Sequence, residues 1–211
     1  MVSISYLFDP LCGWCYGAAP ALRRISAMPG VTLALAPSGL FSGAGSRPLD
    51  AGFAAYAWSC DQRIAQLTGQ RFTERYRTRV LADTGARVDS GPATLALTAV
   101  HLSAPEHELA ALHAIQEARY VDGRTITDPT VLADVLRGLD LDAAATRLLN
   151  PDDALLAANR SRMERTQNDM QALGAQGVPH LIVDDTSGRR LVRGNVLIGD
   201  LEGLAANLLS N

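Results

Sequence analysis

The chain has 211 residues, a formal net charge of −3 and an isoelectric point near 5.8, so no basic surface favours a nucleic-acid partner or an anionic membrane. All nineteen basic residues other than histidine are arginine, which excludes the sites that require a lysine: Walker A phosphate loops, Schiff-base enzymes and protein-kinase sites. Neither a signal-peptide pattern nor a membrane-spanning apolar run is found, so we expect a cytoplasmic protein with no membrane contact.

The first predicted elements are a strand, a helix and a second strand. Residues 3–8 are mostly apolar and indicate a buried strand. A helix is predicted from about residue 13 to residue 28, with a kink at Pro20, and residues 31–36 form the next strand. A helix between two short strands favours a right-handed βαβ crossover.

Two cysteines lie where the first strand gives way to the first helix, in the run Cys12-Gly13-Trp14-Cys15. The first backbone N–H groups of a helix lack intrahelical acceptors and favour a thiolate beside them. Cys12 is therefore predicted to be an exposed nucleophile. Cys15 lies one turn further along the same helix face, where it can close a disulfide or resolve a mixed disulfide formed at Cys12.

A metal site is the main alternative use of a Cys-x-x-Cys pair. It needs two further ligands at short spacing. Cys60 has no cysteine near it, and His101, His107 and His113 show no ligand-like spacing, so we predict no metal and interpret Cys60 as a core thiol. In a reducing compartment the pair is then catalytic or sensing and not a structural disulfide.

Helical patterns without a convincing strand fill residues 49–173. Three helix starts are predicted from capping residues, at Ser103 with Glu106, at Asp128-Pro129 and at Asn150-Pro151. The last helix is long. Its inward stripe is predicted to comprise six residues at alternating three- and four-residue steps: Leu156, Asn159, Met163, Thr166, Met170 and Leu173.

Strand patterns return after Gly174. A strand entered through Val178-Pro179 turns at residues 186–188 into a second strand, and a helix is predicted from about residue 199 to residue 209. The predicted fold is α/β, with βαβ followed by ββα around a large all-helical insertion. Residues 1–48 and 174–211 would form one discontinuous domain, and residues 49–173 the insertion subdomain.

This arrangement resembles the DsbA-like branch of the thioredoxin fold over the whole chain. The residues that carry the resemblance are the Cys12-Gly13-Trp14-Cys15 motif, Pro20 five residues after the second cysteine, and Val178-Pro179, which looks like the cis-proline loop of the family. The resemblance implies that Cys12, Cys15 and Pro179 form the catalytic centre. It further implies a cis Val178-Pro179 bond, in a loop that faces the disulfide and offers its backbone to the substrate.

The residues around this centre are the predicted substrate contacts. Trp14 is expected to form an apolar lip, and Val178, Asp9 and His180 complete the set, with His180 a candidate to approach the sulfurs and lower a thiol pKa when protonated. The sequence departs from thioredoxin and DsbA at Tyr6, where those proteins have an acid. Asp9 instead resembles the acid of the FrnE-type and kappa-class glutathione transferase side of the family.

The leading hypothesis is a thiol-disulfide oxidoreductase or isomerase that acts on protein or low-molecular-weight disulfides. No bound cofactor is expected, and glutathione or a thioredoxin system would supply electrons. One alternative is a glutathione-dependent transferase or isomerase of kappa-like type, against which the retained Cys12 argues, because that position is typically serine in those relatives. Another is a redox-sensing binding module without turnover. A monomer and a homodimer are both open.

Overall fold

The centre of the molecule is a four-stranded mixed sheet with the strand order β2-β1-β5-β6. The structure is a computed structural model that describes residues 2–199, 203, 204 and 208. The first half of the core contains four elements, which are β1 (Val2–Phe8), α1 (Gly13–Gly17), α2 (Ala19–Ser26) and β2 (Val31–Pro37). β1 and β2 pair in parallel, and the last three residues of β1 are buried on both faces of the sheet. The predicted βαβ unit is confirmed.

The first helix is broken, whereas the sequence predicts one helix kinked at Pro20. α1 ends at Gly17, and α2 begins at Ala19 with Pro20 in its first turn. Proline is tolerated there because the N–H groups of a first turn have no intrahelical acceptor. Pro20 therefore starts a second helix instead of bending a single one. Leu22 and Ile25 of α2 are buried in the main core.

The second half of the core is the predicted β-hairpin. It consists of β5 (His180–Asp185) and β6 (Gly188–Arg193). β5 pairs antiparallel with β1, so the hairpin is placed directly beside the strand that leads to the cysteines. The predicted closing helix, residues 199–209, lies largely outside the described residues.

The segment between the two halves is largely helical. Its helices are α3 (Ala51–Thr68), α4 (Glu74–Tyr76), α5 (Gly91–Ser103), α6 (Glu108–Tyr120), α7 (Pro129–Arg137), α8 (Asp142–Leu149) and α9 (Asp153–Ala172), with a π-helical turn at Arg77–Leu81. It is not all-helical, because β3 (Arg47–Pro48) pairs antiparallel with β4 (Arg87–Val88). Two-residue strands are too short to produce a periodic pattern. The domain boundaries at residues 48 and 174 stay a prediction.

Only one of the three predicted helix starts is correct as proposed. Asp128 caps α7, with Pro129 as its first residue. Ser103 is the last residue of α5, and its hydroxyl donates to a carbonyl of its own helix, so the capping box with Glu106 is wrong. α9 is capped by Asp152 instead of Asn150, because the Asp152 carboxylate accepts the backbone N–H of the third helical residue.

The buried face of α9 agrees only in part with the predicted stripe of six residues. Asn159 and Thr166 are buried as predicted, and the other four members are half-buried or less. Leu155 and Arg162, which the stripe omits, are also buried. Arg162 is tolerated there because its guanidinium donates to Glu108 on α6, to Thr98 on α5 and to the backbone carbonyl of Leu35 on β2.

No helix in the described part of the chain is long and apolar enough to cross a membrane.

Candidate active site

Cys12 and Cys15 lie at the start of α1, as the sequence predicts. Cys12 is the N-cap residue, and Cys15 lies one turn into the helix; both are free thiols. Cys12 is 8% exposed and Cys15 is 1% exposed, so the first thiol is less exposed than expected. The reason is that helices α3 and α6 of the insertion close over it, leaving Cys12 at the wall of a pocket of about 230 Å³. Cys12 therefore reaches solvent through this pocket.

The loop before β5 faces the first thiol. The Val178-Pro179 peptide bond is cis, as the resemblance implies. The Cys12 thiol donates to the Val178 carbonyl oxygen at 3.8 Å, and Val178 and Trp14 line the same pocket as Cys12. Gly194 lies against the back of the loop, where a Cβ atom would stand 1.9 Å from the Pro179 carbonyl oxygen. The loop and the helix start are therefore brought together, and the roles of Trp14, Val178 and Pro179 in catalysis stay predictions.

His180 is not brought to the sulfurs by any contact in the structure. Its Nδ1 accepts the Gly194 backbone N–H at 3.0 Å, and its Nε2 donates to the Gln176 carbonyl oxygen at 3.3 Å. Both ring nitrogens thus bond to the backbone that flanks the cis-proline loop. His180 is absent from the lining of the Cys12 pocket and lines a separate cavity with Arg193. The predicted role of His180 in substrate contact stays a prediction.

Asp9 is fully buried and does not line the pocket either. One carboxylate oxygen accepts the Leu11 N–H at 2.9 Å; the other accepts the Phe41 N–H at 3.1 Å and the Ser90 hydroxyl at 2.7 Å. Burial raises the pKa of Asp9, while these hydrogen bonds oppose the rise. Asp9 therefore connects the cysteine loop to two other segments of the chain.

Cys15 is the more deeply buried of the two cysteines. Burial raises the pKa of the Cys15 thiol well above its ordinary value, and the neighbouring Cys12 adds to the rise. Tyr6 stands beside it, and its hydroxyl donates to the Cys15 carbonyl oxygen at 3.1 Å. Burial also raises the pKa of Tyr6, so this phenol stays protonated at neutral pH. Cys15 is consequently protonated at neutral pH.

Three charged or polar residues of the pocket are absent from the sequence prediction. Asp61 on α3 is 4% exposed, and a Cβ atom at Gly13 would stand 2.3 Å from its Oδ1 atom. Burial raises the pKa of Asp61 to about 7, against the hydrogen bond from Tyr76 and the charge of Arg119, which lower it. Tyr120, next to Arg119 on α6, donates its hydroxyl hydrogen to the Leu11 carbonyl oxygen at 2.7 Å.

These residues were hard to anticipate because they lie 46 or more positions beyond the cysteines in the sequence. The only local signal is an acid on the apolar side of α3, three residues before the fully buried Ile64. Cys60 also differs from expectation: it is half-buried and lines the Cys12 pocket, so it is not a core thiol. Among the residues that the structure describes, no group of histidine, cysteine and acidic side chains is arranged to hold a metal ion.

Replacing Gly13 by alanine is expected to strain the contact between α1 and α3. The new Cβ would lie 2.3 Å from Asp61 Oδ1 and 3.3 Å from Ile64 Cδ1, and Asp61 is short and buried. Overpacking of this kind costs about 1–3 kcal/mol of unfolding free energy, measurable by urea unfolding. Gly85→Ala is the matched control, because the nearest atom to its Cβ would be 3.6 Å away on an exposed turn. Equal stability of the two variants would contradict the close contact.

The chain was compared with known proteins. It matches the family model of the DSBA-like thioredoxin domain over residues 3–204. Cytosolic disulfide reductase DsbM from Pseudomonas aeruginosa is 32% identical and superposes with a TM-score of 0.86, covering 97% of this chain and 95% of that one. A structure of DsbM with GSH superposes at 0.81, with the same identity and coverage of 97% and 96%.

A putative protein disulfide isomerase from Nitrosomonas europaea is 25% identical, with a TM-score of 0.79 and coverage of 98% of this chain and 95% of that one. No curated protein matches the sequence. The family match spans nearly all of the chain and includes both cysteines and the cis-proline loop. The chain therefore belongs to the DSBA-like thioredoxin-domain family and is a disulfide oxidoreductase.

Proposed function

We propose that the protein reduces disulfides through the Cys12-Gly13-Trp14-Cys15 pair, with glutathione as the electron donor, in the cytoplasm. One observation carries the proposal: the more exposed thiol, Cys12, lies at the start of α1, in hydrogen-bond contact with the Val178 carbonyl and open to a pocket. The similarity to a cytosolic disulfide reductase that has also been solved with GSH supports the direction of electron flow and the donor.

The first step is an exchange at Cys12. Its thiolate attacks one sulfur of the substrate disulfide, forms a mixed disulfide and expels the other substrate sulfur as a thiolate. Val178 and Trp14 line the same pocket, so we assign them to contact with the incoming substrate.

The second step releases the substrate. Cys15 loses its proton, attacks Cys12 and expels the second substrate thiolate, which leaves an oxidised pair. Two electrons have then passed from the dithiol to the substrate, and two molecules of glutathione restore the dithiol while forming one glutathione disulfide. No bound cofactor is needed, because the electrons remain on sulfur throughout. Burial of Cys15 keeps it protonated until the mixed disulfide forms beside it.

Two cysteine variants test the proposal. Cys12→Ser is expected to abolish the reduction of insulin disulfides by glutathione, because it removes the attacking sulfur. Cys15→Ser is expected to retain a mixed disulfide of one glutathione per chain at Cys12, detected by mass spectrometry of the intact protein and its peptides. The double variant Cys15→Ser/Cys60→Ser is the control that assigns this adduct, since Cys60 lines the same pocket. Undiminished turnover by Cys12→Ser would overturn the proposal.

The same preparations separate the proposal from its alternatives. Conjugation of glutathione to an electrophile such as 1-chloro-2,4-dinitrobenzene, without disulfide reduction, would favour the kappa-like transferase. Oxidation of the pair without turnover would favour a sensing module. Replacing glutathione by a thioredoxin system as electron donor identifies the donor, and we expect faster turnover with glutathione. Protein and low-molecular-weight disulfides stay alternative substrates, and a monomer and a homodimer stay alternative assemblies.

A further inference from the structure

The Cys12 pocket contains a buried arginine, Arg119. Arg119 on α6 is 5% exposed, and its guanidinium lies over the Tyr76 and Tyr120 rings at 5.3 and 5.7 Å from their centres. Its buried Nε atom has no hydrogen-bond partner. Arginine stays protonated in proteins, so a full positive charge is held in the wall of the pocket.

Burial lowers the pKa of Arg119, and Tyr76, Tyr120 and Asp61 raise it above its ordinary value, although none of them forms an ion pair with it at short range. Among the residues that the structure describes, no carboxylate lies within 4.0 Å of the Arg119 nitrogens. Asp61 lines the same pocket, but burial raises its pKa to about 7, so near neutral pH it is only partly ionised. One Asp61 carboxylate oxygen is also buried without a partner. Buried polar atoms without hydrogen-bond partners, here Arg119 Nε and one Asp61 oxygen, are costly unless a ligand satisfies them.

We propose that this pocket binds the carboxylate of a small acidic disulfide, with Arg119 as the residue that selects it while the disulfide sulfur reaches Cys12. The inference rests on the proposed function and names the class of substrate for the same site. Cys12 and Arg119 line one cavity of about 230 Å³, enough for one short arm of such a molecule. The aromatic rings of Phe41, Phe53 and Tyr56 complete an apolar wall along that arm.

The exchange that follows is balanced. Cys12 attacks the sulfur of the arm held by Arg119, so the bond to the other arm breaks and that arm leaves as a thiolate. Cys15 then attacks Cys12, and the held arm leaves as the second thiolate. The two electrons come from the Cys12 and Cys15 dithiol. Once its sulfur is free, the acidic thiol dissociates with its carboxylate, and Arg119 is available for the next molecule.

The test compares disulfides that differ in charge. The reduced protein is mixed with 3,3′-dithiodipropionate, which is anionic, or with bis(2-hydroxyethyl) disulfide, which is neutral. The rate of Cys12–Cys15 oxidation is followed by acid quenching, alkylation and mass spectrometry. In Arg119→Gln we expect the rate with the anionic disulfide to fall about ten- to a hundred-fold further than the rate with the neutral one, because a charge-assisted contact is lost. Arg119→Lys should restore part of the difference.

Arg124→Gln is the matched control. It removes a partly exposed arginine that pairs with Asp134 at 2.6 Å outside the Cys12 pocket, and the ratio of the two rates should equal that of the wild type. Equal losses with both disulfides in Arg119→Gln would show a structural role for Arg119 and overturn the inference, while exchange at Cys12 would still stand. If Arg119→Gln does not fold, the wild type alone decides: a reaction with the anionic disulfide that is no faster than the reaction with the neutral one would overturn the inference.

Discussion

Replacing Arg162 by methionine is expected to lower the free energy of unfolding by about 3–5 kcal/mol, because the change leaves a buried carboxylate without its main partner. Arg162 Nη2 donates to Glu108 Oε1 at 2.5 Å, and the two side chains are 5% and 6% exposed. The same guanidinium donates to Thr98 and to the Leu35 carbonyl oxygen on β2. In the variant the contact of Glu108 with His101, at 2.9 Å, remains.

Urea unfolding at neutral pH measures this effect. The double variant Glu108→Gln/Arg162→Met should lose less stability than the single one, because no buried charge remains in it. Arg147→Met is the matched control: it breaks an ion pair with Asp152 at 3.0 Å whose two side chains are 30% and 54% exposed, and it should cost about 1 kcal/mol or less. Similar losses for Arg162→Met and Arg147→Met would show that the buried network contributes little.

The stability of the wild type is expected to fall relative to Asp61→Asn as pH rises from about 4 to about 7. The ordinary pKa of the carboxyl is 3.8, and burial raises the pKa of Asp61 to about 7 in the folded protein. Between these values the folded state binds more protons than the unfolded state, so stability decreases with pH. A difference of about 3 pH units corresponds to about 4 kcal/mol. Below pH 4 the carboxyl is protonated in both states and the contribution of its titration vanishes.

The measurement is urea unfolding of both proteins at pH values from 2 to 8. Asp185→Asn serves as a control of opposite sign. Hydrogen bonds from Ser187 and Arg190 lower the pKa of Asp185 to about 2, so its stabilisation is present above pH 4 and is lost only as pH falls towards 2. If the free energy of unfolding depends on pH in the same way for wild type and Asp61→Asn between pH 4 and pH 7, Asp61 is not a buried carboxyl with a raised pKa.

The sequence predicts those parts of the fold that depend on neighbours along the chain. The apolar run of β1, the Cys-x-x-Cys at a helix start and the turn of the returning hairpin are local patterns, and all three are found. The break before Pro20 is missed because a proline suits a bent helix and a helix start equally well. β3 and β4 are missed because two residues carry no period.

The site was less predictable than the fold because its walls come from distant segments. Asp61 and Arg119 lie on helices that pack over Cys12 only in the tertiary structure, and no spacing in the sequence relates them to it. Asp9 and His180 are the reverse case, because they lie close in sequence to the cysteines and to the cis-proline respectively. Their side-chain polar atoms form hydrogen bonds with backbone groups and, for Asp9, also with Ser90. Neither residue lines the Cys12 pocket, and their contact with substrate stays a prediction.

The two sulfurs and the cavity beside them come from different stretches of the chain. The thiols are carried by the segment between β1 and α2, whereas Asp61, Tyr76 and Arg119 are carried by helices between β2 and β5. Mutation can therefore alter which molecules are admitted while the electron exchange itself is preserved. Related proteins that share the Cys-x-x-Cys motif can in this way acquire different substrates. We expect the sequence differences that change the substrate to lie in the helices that cover Cys12.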